Sequence, residues 1–413
     1  MTPRTGPARS PASDADGEGV HPGLVGGPLY LDYNATTPVD PRVTTAALPY
    51  WTDFFGNPSS DHRYADTPRR ALADARGQVA ALIGARADEI VFTASGSEAN
   101  LLALRGSLLA ASGHDTHLIV PATEHPAVLE TARALNRLHG TRVTVLPVDH
   151  DGLIEPTALD TALRTHAASR TVVSIMAANN ETGTLQPITE LAAIAHTHGA
   201  VVHCDAAQAC GKIPVDVQRF GVDLLTVVGH KMYAPRGAAA LYVRSGIALE
   251  PVIYGGGQER GLRAGTENVA LAVALGTAAE LAATDLASGE PECIAGLRDA
   301  LHQRLAAALP GRVHLNGPAD ARWRLPNTLN ISIDGVRGHD VLAAAPAIAA
   351  STGSACHSGI HSPSPVPTAM GLDHDRALGA VRLTLGRFTR PRDIDTAVQA
   401  LVHAVTGDID TTR

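Results

Sequence analysis

No run of apolar residues in this chain approaches the roughly 20 that a membrane span requires, which removes membrane-spanning helices from expectation. Cysteine is scarce. Its four residues, Cys204, Cys210, Cys293 and Cys356, show no metal-like pairing, so no metal site is expected and a reduced, cytoplasmic compartment is. Positive charge is not in excess either: 33 Lys and Arg against 41 Asp and Glu leave a formal net charge of -8. That balance gives no reason to expect a nucleic acid or a membrane surface as partner. No internal repeat is present. Residues 1–28 are rich in Pro, Gly, Ala and Asp and read as a disordered extension. They hold no apolar stretch of the secretory type, and Asp14, Asp16 and Glu18 argue against an organellar transit peptide.

What is present is a chain of 413 residues, 45% hydrophobic, too long for one small core. Short apolar strands recur at Ile90–Thr93, Leu118–Val120, Val143–Leu146, Thr171–Met176, Val201–His203, Leu224–Val228 and Ala239–Val243, with helical patterns between most of them. Arg69–Ile83 has amphipathic helical spacing, with Leu72, Val79, Leu82 and Ile83 on one face. Pro41–Tyr50 also has helical spacing, and Ala94–Glu98 reads as a turn before a helix at Ala99–Leu109. Such alternation predicts an α/β protein whose mainly parallel sheet, of the seven-stranded type, lies between helices. After Gly261 the texture changes to a long alanine-rich helix at about Val269–Ala283, a further helix at Ile294–Leu309 and strands at Val313–Leu315, Thr328–Ser332 and Val381–Leu385, the last three marking a smaller α+β unit. The expected division is a large domain over 46–284 and a small one built from 29–45 with 285–413.

The chemistry concentrates around Lys231. It follows an apolar strand and Gly229-His230, where open α/β sheets place their sites, and an amine partly desolvated there becomes a Schiff-base nucleophile. Asp205 closes the segment Val201-Val-His-Cys-Asp205, at the carboxyl end of the preceding strand. Pyridoxal 5'-phosphate needs that pair: a lysine for its aldehyde and a carboxylate for its ring nitrogen. Alone, Asp205 would serve equally as a helix cap and Lys231 as a surface lysine. Ser95-Gly96-Ser97 lies between a strand and a helix, where backbone amides and the Ser97 hydroxyl hold a phosphate. Cys356 sits in Ser351–Gly359, a small, polar segment followed by several prolines; that context predicts an exposed loop and a reactive thiol.

Taken in order, Tyr30–Pro38, Gly56–Ser60, Glu124–Val128, Asn179–Gly183, Gly255–Gly261, Arg263–Asn268, Ser351–Gly359 and Val381–Arg387 resemble the motifs of class V, fold-type I pyridoxal-phosphate enzymes, within them the cysteine desulfurases with a long cysteine loop. Selenocysteine lyases are the near relatives. The resemblance implies that His125 stacks on the cofactor ring and shuttles protons, that Asn180 and Gln208 lie near the ring hydroxyl, and that Gly96, Ser97 and His230 hold the phosphate. It implies that Thr266 reaches the phosphate of a neighbouring subunit in a homodimer. Arg382, with Asn34, would grip the carboxylate of L-cysteine, a task suited to a planar two-donor guanidinium. Cys356 would take the sulfur as a persulfide and hand it to an acceptor protein, leaving alanine. Val228 stands where the desulfurases usually carry a phosphate-binding serine, and this together with Ala355-Cys-His-Ser358 keeps selenocysteine lyase as the competing expectation. A non-catalytic scaffold that binds a partner through the Cys356 loop is the rival from outside enzymology.

Overall fold

The computed structural model describes residues 20–110, 115–166, 168–353 and 363–407. Among them are twelve strands: β1 Leu29–Tyr30, β2 Ile90–Thr93, β3 Thr116–Pro121, β4 Arg142–Leu146, β5 Arg170–Met176, β6 Val201–Asp205, β7 Leu224–Val228, β8 Ala239–Val243, β9 Val313–Leu315, β10 Thr328–Ile333, β11 Ile348–Ala349 and β12 Ala380–Thr384. Seven of them form one sheet in the order β2-β8-β7-β6-β5-β3-β4. Its strands from β4 to β7 run parallel, and β8 is antiparallel to both its neighbours, β7 and β2. The near-continuous apolar sequences of β5, β6 and β7 suit strands covered on both faces.

The direction of winding positions the site. From β3 the chain crosses through helix Pro126–His139 to β4 on one side, while β5 pairs with β3 on the other. The carboxyl ends of β3 and β5 therefore flank a reversal in strand order, where open sheets leave a crevice. β6 and β7 end at the same edge.

A second core is built by Leu31, by Leu301 and Leu305 of helix Glu290–Ala308, by the sheet β12-β10-β9, and by Ile394 and Leu401 of helix Pro391–Thr406. That last helix, with buried residues at 394, 397, 401, 404 and 405, follows the helical repeat closely, although the reading of the sequence did not single it out. Elsewhere the differences are at boundaries. Pro49, which has no N–H, divides the expected helix at Pro41–Tyr50 into Pro41–Ala47 and Pro49–Thr52. The helix expected from Ala99 begins at Gly96, because the Ser95 side chain caps it by accepting from Glu98 N at 3.1 Å.

Two expectations need correction. Residues 1–19 of the expected disordered extension lie outside the described residues, but its end is tied down: His21 Nε2 is 2.7 Å from Val39 O, and its ring packs on Phe388. Helix Val269–Ser288 is also long and apolar enough, by length and composition, to cross a membrane. Its alanines lie against helices Asp66–Leu82 and Pro41–Ala47, while Glu280 accepts from Gln78 and Asp285 pairs with Arg387. An apolar helix packed on other helices, with its carboxylates paired on the same chain, is a core helix of the fold.

Candidate active site

A cavity of about 390 Å³ opens at the strand-order reversal. Asn34, Gly96, Ser97, His125, Asn180, Asp205, Gln208, His230, Lys231 and Arg382 all line it, so most of the sequence-predicted residues meet in one place. Two do not. Thr266 is exposed and lines a separate cavity with Leu72, Phe92 and Glu267. Cys356 lies outside the described residues.

β7 delivers Lys231 through a single turn of 3-10 helix, Gly229–Lys231. Its Nζ donates to Asn34 O and Ala35 O, each at 2.7 Å. Burial lowers the pKa of this amine to about 8, and the Arg382 guanidinium pushes in the same direction against Asp205 and Asp32. Asp205 is the last residue of β6, and no helix follows it to be capped. One of its oxygens accepts from Ala207 N at 3.0 Å and the other from Asn100 Nδ2 at 2.7 Å.

Helix Gly96–Leu109 points its amino end into the cavity. Gly96 is required there by close approach: a Cβ on it would lie 2.6 Å from Val228 Cγ2. The valine at the usual serine position thus packs its methyl groups on the helix end and offers no hydroxyl. His230 holds Thr36 Oγ1 at 3.2 Å from its Nδ1, and burial lowers its pKa to about 4, so it faces the cavity as a neutral ring at pH 7.

His125 caps helix Pro126–His139, its Nδ1 accepting from Ala127 N at 3.0 Å. That bond assigns the proton of the neutral ring to Nε2. Enclosure by the cavity walls lowers its pKa; Asp205 opposes this and Lys231 adds to it. Arg382, on β12, is 5% exposed and bonds Asp32 Oδ1 at 2.7 Å and Asn180 O at 3.1 Å, leaving its Nε without a partner among the described residues.

Asn34 lines the cavity with its side-chain amide bonded within the protein. Its side-chain N–H groups go to Thr328 Oγ1 at 2.9 Å and Asn180 O at 3.2 Å, and its Oδ1 accepts from Asn327 Nδ2 and Lys212 Nζ. Both ends of the amide are engaged within the protein, so Asn34 shapes the cavity wall and its backbone oxygen steadies Lys231.

Sequence reasoning missed Asn100 and Lys212. Asn100 is a polar residue at a buried helical position, between Ala99 and Leu102, and that misplacement was the available signal. Lys212 follows Gly211 in a run of small residues and carried none; it is half-buried, bonds Gln208 Oε1 at 2.5 Å, and desolvation holds its pKa well below the ordinary lysine value. Because a lysine donates, the Gln208 amide is oriented: its oxygen faces Lys212 and its Nε2 donates to Asn34 O at 2.8 Å.

An amine of lowered pKa, a carboxylate, a helix amino end and a buried guanidinium with an unpartnered nitrogen fit pyridoxal phosphate bound with an amino acid. Residues 29–396 match the family described as aminotransferase class-V. The chain belongs to that family. Among class-V relatives, it is 44% identical over 379 residues to a cysteine desulfurase of Trichormus azollae, covering 91% of this chain and 92% of the relative. The solved structure of a NifS-like protein superposes with a TM-score of 0.83 at 32% identity, over 92% of this chain and 99% of that one. Another, of SspA in complex with cysteine, gives a TM-score of 0.76 at 34% identity, over 88% of this chain and all of that one (100%).

Proposed function

We propose that this protein is a pyridoxal-phosphate-dependent cysteine desulfurase. The observation that carries the reading is the meeting of Lys231, Asp205 and Arg382 in one cavity of a chain 44% identical to such an enzyme. The competing selenocysteine lyase reading rests on Val228 and the residues around Cys356 alone, whereas the relatives are named cysteine desulfurases. Bound cofactor supplies an aldehyde that captures amines and a ring that draws electrons away from the substrate's α-carbon.

The chain's own residues do the rest. Arg382, whose guanidinium lines the cavity, would receive the substrate carboxylate. Lys231, half-buried with a lowered pKa, would move protons at the substrate carbons, with His125 Nε2 lining the same cavity. Asp205 would keep the ring nitrogen of bound cofactor protonated, and Asn100 and Ala207 N hold that carboxylate in position. Gly96, Ser97 and His230 would hold the phosphate, and Asn180 and Gln208, which line the same cavity, would face the ring. The Cys356 thiol takes the sulfur: the carbon–sulfur bond of cysteine breaks, a sulfur–sulfur bond forms, and the hydrogens remain on alanine and the persulfide.

The site is completed in a homodimer, where Thr266 of each copy reaches the other's phosphate; its exposure away from its own cavity supports this. The persulfide passes to an acceptor protein. The separation of the core around Leu301, Ile331 and Leu401 from those around the seven-stranded sheet supports a large domain at 46–284 and a small one from 29–45 with 285–413. Incubation with L-cysteine and a reductant should yield alanine and sulfide in equal amounts; no alanine from cofactor-loaded protein overturns the reading.

A further inference from the structure

Glu181 has no part in the chemistry above, yet its side chain is buried where charge is costly. It follows Asn180, and its main chain is fixed: its N–H donates to Asn179 Oδ1 at 2.8 Å and its carbonyl accepts from Asn330 Nδ2 at 3.1 Å. The carboxyl group then meets two residues far along the chain. Oε1 accepts from the Ser364 hydroxyl at 2.8 Å. Oε2, with no hydrogen-bond partner among the described residues, lies against Gly353, where a Cβ would come within 2.5 Å of it. Gly353 has φ +83°, a conformation that glycine adopts freely, so it is constrained twice over.

Gly353 and Ser364 lie on either side of the segment that carries Cys356. Each is anchored again. Ser351 bridges to Arg382 on β12, with N–O distances of 3.3 and 2.6 Å, and its hydroxyl accepts from Gly353 N at 3.0 Å. Ser364 caps helix Pro365–Ala369 through Val366 N at 3.2 Å.

We propose that Glu181 is a positioning residue for sulfur transfer: its one carboxyl group gathers the two ends of the Cys356 segment beside the substrate arginine. Fixing both ends of a short connection raises the effective concentration of whatever it carries at the site. Burial raises the Glu181 pKa to about 7, with Ser364 and Arg382 opposing, so the carboxylic acid is well populated at neutral pH. A glutamine, equal in shape and always neutral, therefore preserves the clamp.

The inference rests on the desulfurase reading with Cys356 as acceptor, and the test separates the two. Holoenzymes of wild type, Glu181→Ala, Glu181→Gln, Gly353→Ala and Cys356→Ala are mixed with L-cysteine. Cysteine affinity is read from the cofactor's visible spectrum, transfer from alanine formation and from sulfur added to the Cys356 peptide. Glu181→Ala and Gly353→Ala should bind cysteine as the wild type does but transfer sulfur slower by on the order of tenfold. Glu181→Gln should stay within about twofold of wild type, a rescue expected if the shape of the clamp is what matters. Wild-type transfer rates in Glu181→Ala overturn the inference while leaving the desulfurase reading intact. If that variant does not fold, Gly353→Ala decides in the same way. Alanine formation in Cys356→Ala at the wild-type rate overturns the assignment of the acceptor thiol instead.

Discussion

Lys231 and Arg382 reach the cavity from different sheets, and each is modified by its surroundings in a way that can be measured. A lysine whose pKa falls from 10.5 to about 8 has a free-base population at pH 7 raised by two orders of magnitude or more, about tenfold per pH unit. The sign follows directly: the neutral amine is the form that combines with an aldehyde, and it gains population as pH rises. Uptake of pyridoxal phosphate by cofactor-stripped protein should therefore accelerate from pH 6 to 9 with a midpoint near the lowered pKa of about 8, then level off. A rate still rising tenfold per unit beyond pH 9 would show an unperturbed lysine. Lys231→Ala should lose the visible absorbance band of the holoenzyme altogether. Arg382→Ala should weaken cysteine binding by about 2–4 kcal/mol, since it removes a buried charge-assisted contact, while the cofactor stays bound. Spectral titration with cysteine checks this; unchanged affinity would make the Asp32 pair, at 2.7 Å, the residue's whole purpose.

Among the elements, the amino end of helix Gly96–Leu109 against the end of β7 is the tightest joint of the site. The contact between Gly96 and Val228 predicts that Gly96→Ala destabilises the protein by about 1–3 kcal/mol through overpacking. Val228→Ala in the same chain should restore most of that loss. Denaturant unfolding of the two single variants and the double variant checks this, and strictly additive effects would mean the joint yields at no cost. The element pattern itself was largely legible in the sequence. β2, β7, β8 and β9 begin and end where apolar runs do, because such runs are local and their turns carry Gly or polar residues. Boundaries that shifted did so for local reasons too, Pro49 for one helix and Ser95 for another. Helix Val269–Ser288 was misjudged as to length of apolar run because its two acidic residues hide, in a plain reading, how apolar the remainder is.

For the whole molecule, the decisive question is what completes the phosphate site. Thr266 stands on the surface beside the loop Gly255–Gly261, whose Glu259 and Arg260 adopt positive φ (46° and 57°). Glu259 is buried there and accepts from Arg76 Nη1 and Nη2 at 2.7 Å and from Phe92 N at 2.9 Å. Backbone strain of this kind persists where surrounding contacts over-determine it. Sedimentation of the holoenzyme should give a dimer, and Thr266→Ala should shed cofactor faster on dialysis than wild type. An active, cofactor-loaded monomer would contradict this arrangement.

The sequence by itself determined which side chains could do chemistry, because each sits in a short motif whose meaning is local: Lys231 after a strand, Asp205 at the end of one, Gly96-Ser97 at a helix start. It also determined the alternation of strand and helix, and with it the parallel sheet. Only the tertiary structure decided how those motifs act on one another. Lys212 and Asn34 are 178 residues apart, Arg382 and Asp32 are 350 apart, and Ser364 and Glu181 are 183 apart. No periodicity encodes such pairs. They arise from strand order and register, which bring the ends of β3, β5, β6 and β7 and the middle of β12 to one crevice, and from burial, which turns a lysine, a glutamate and an asparagine into groups with fixed partners.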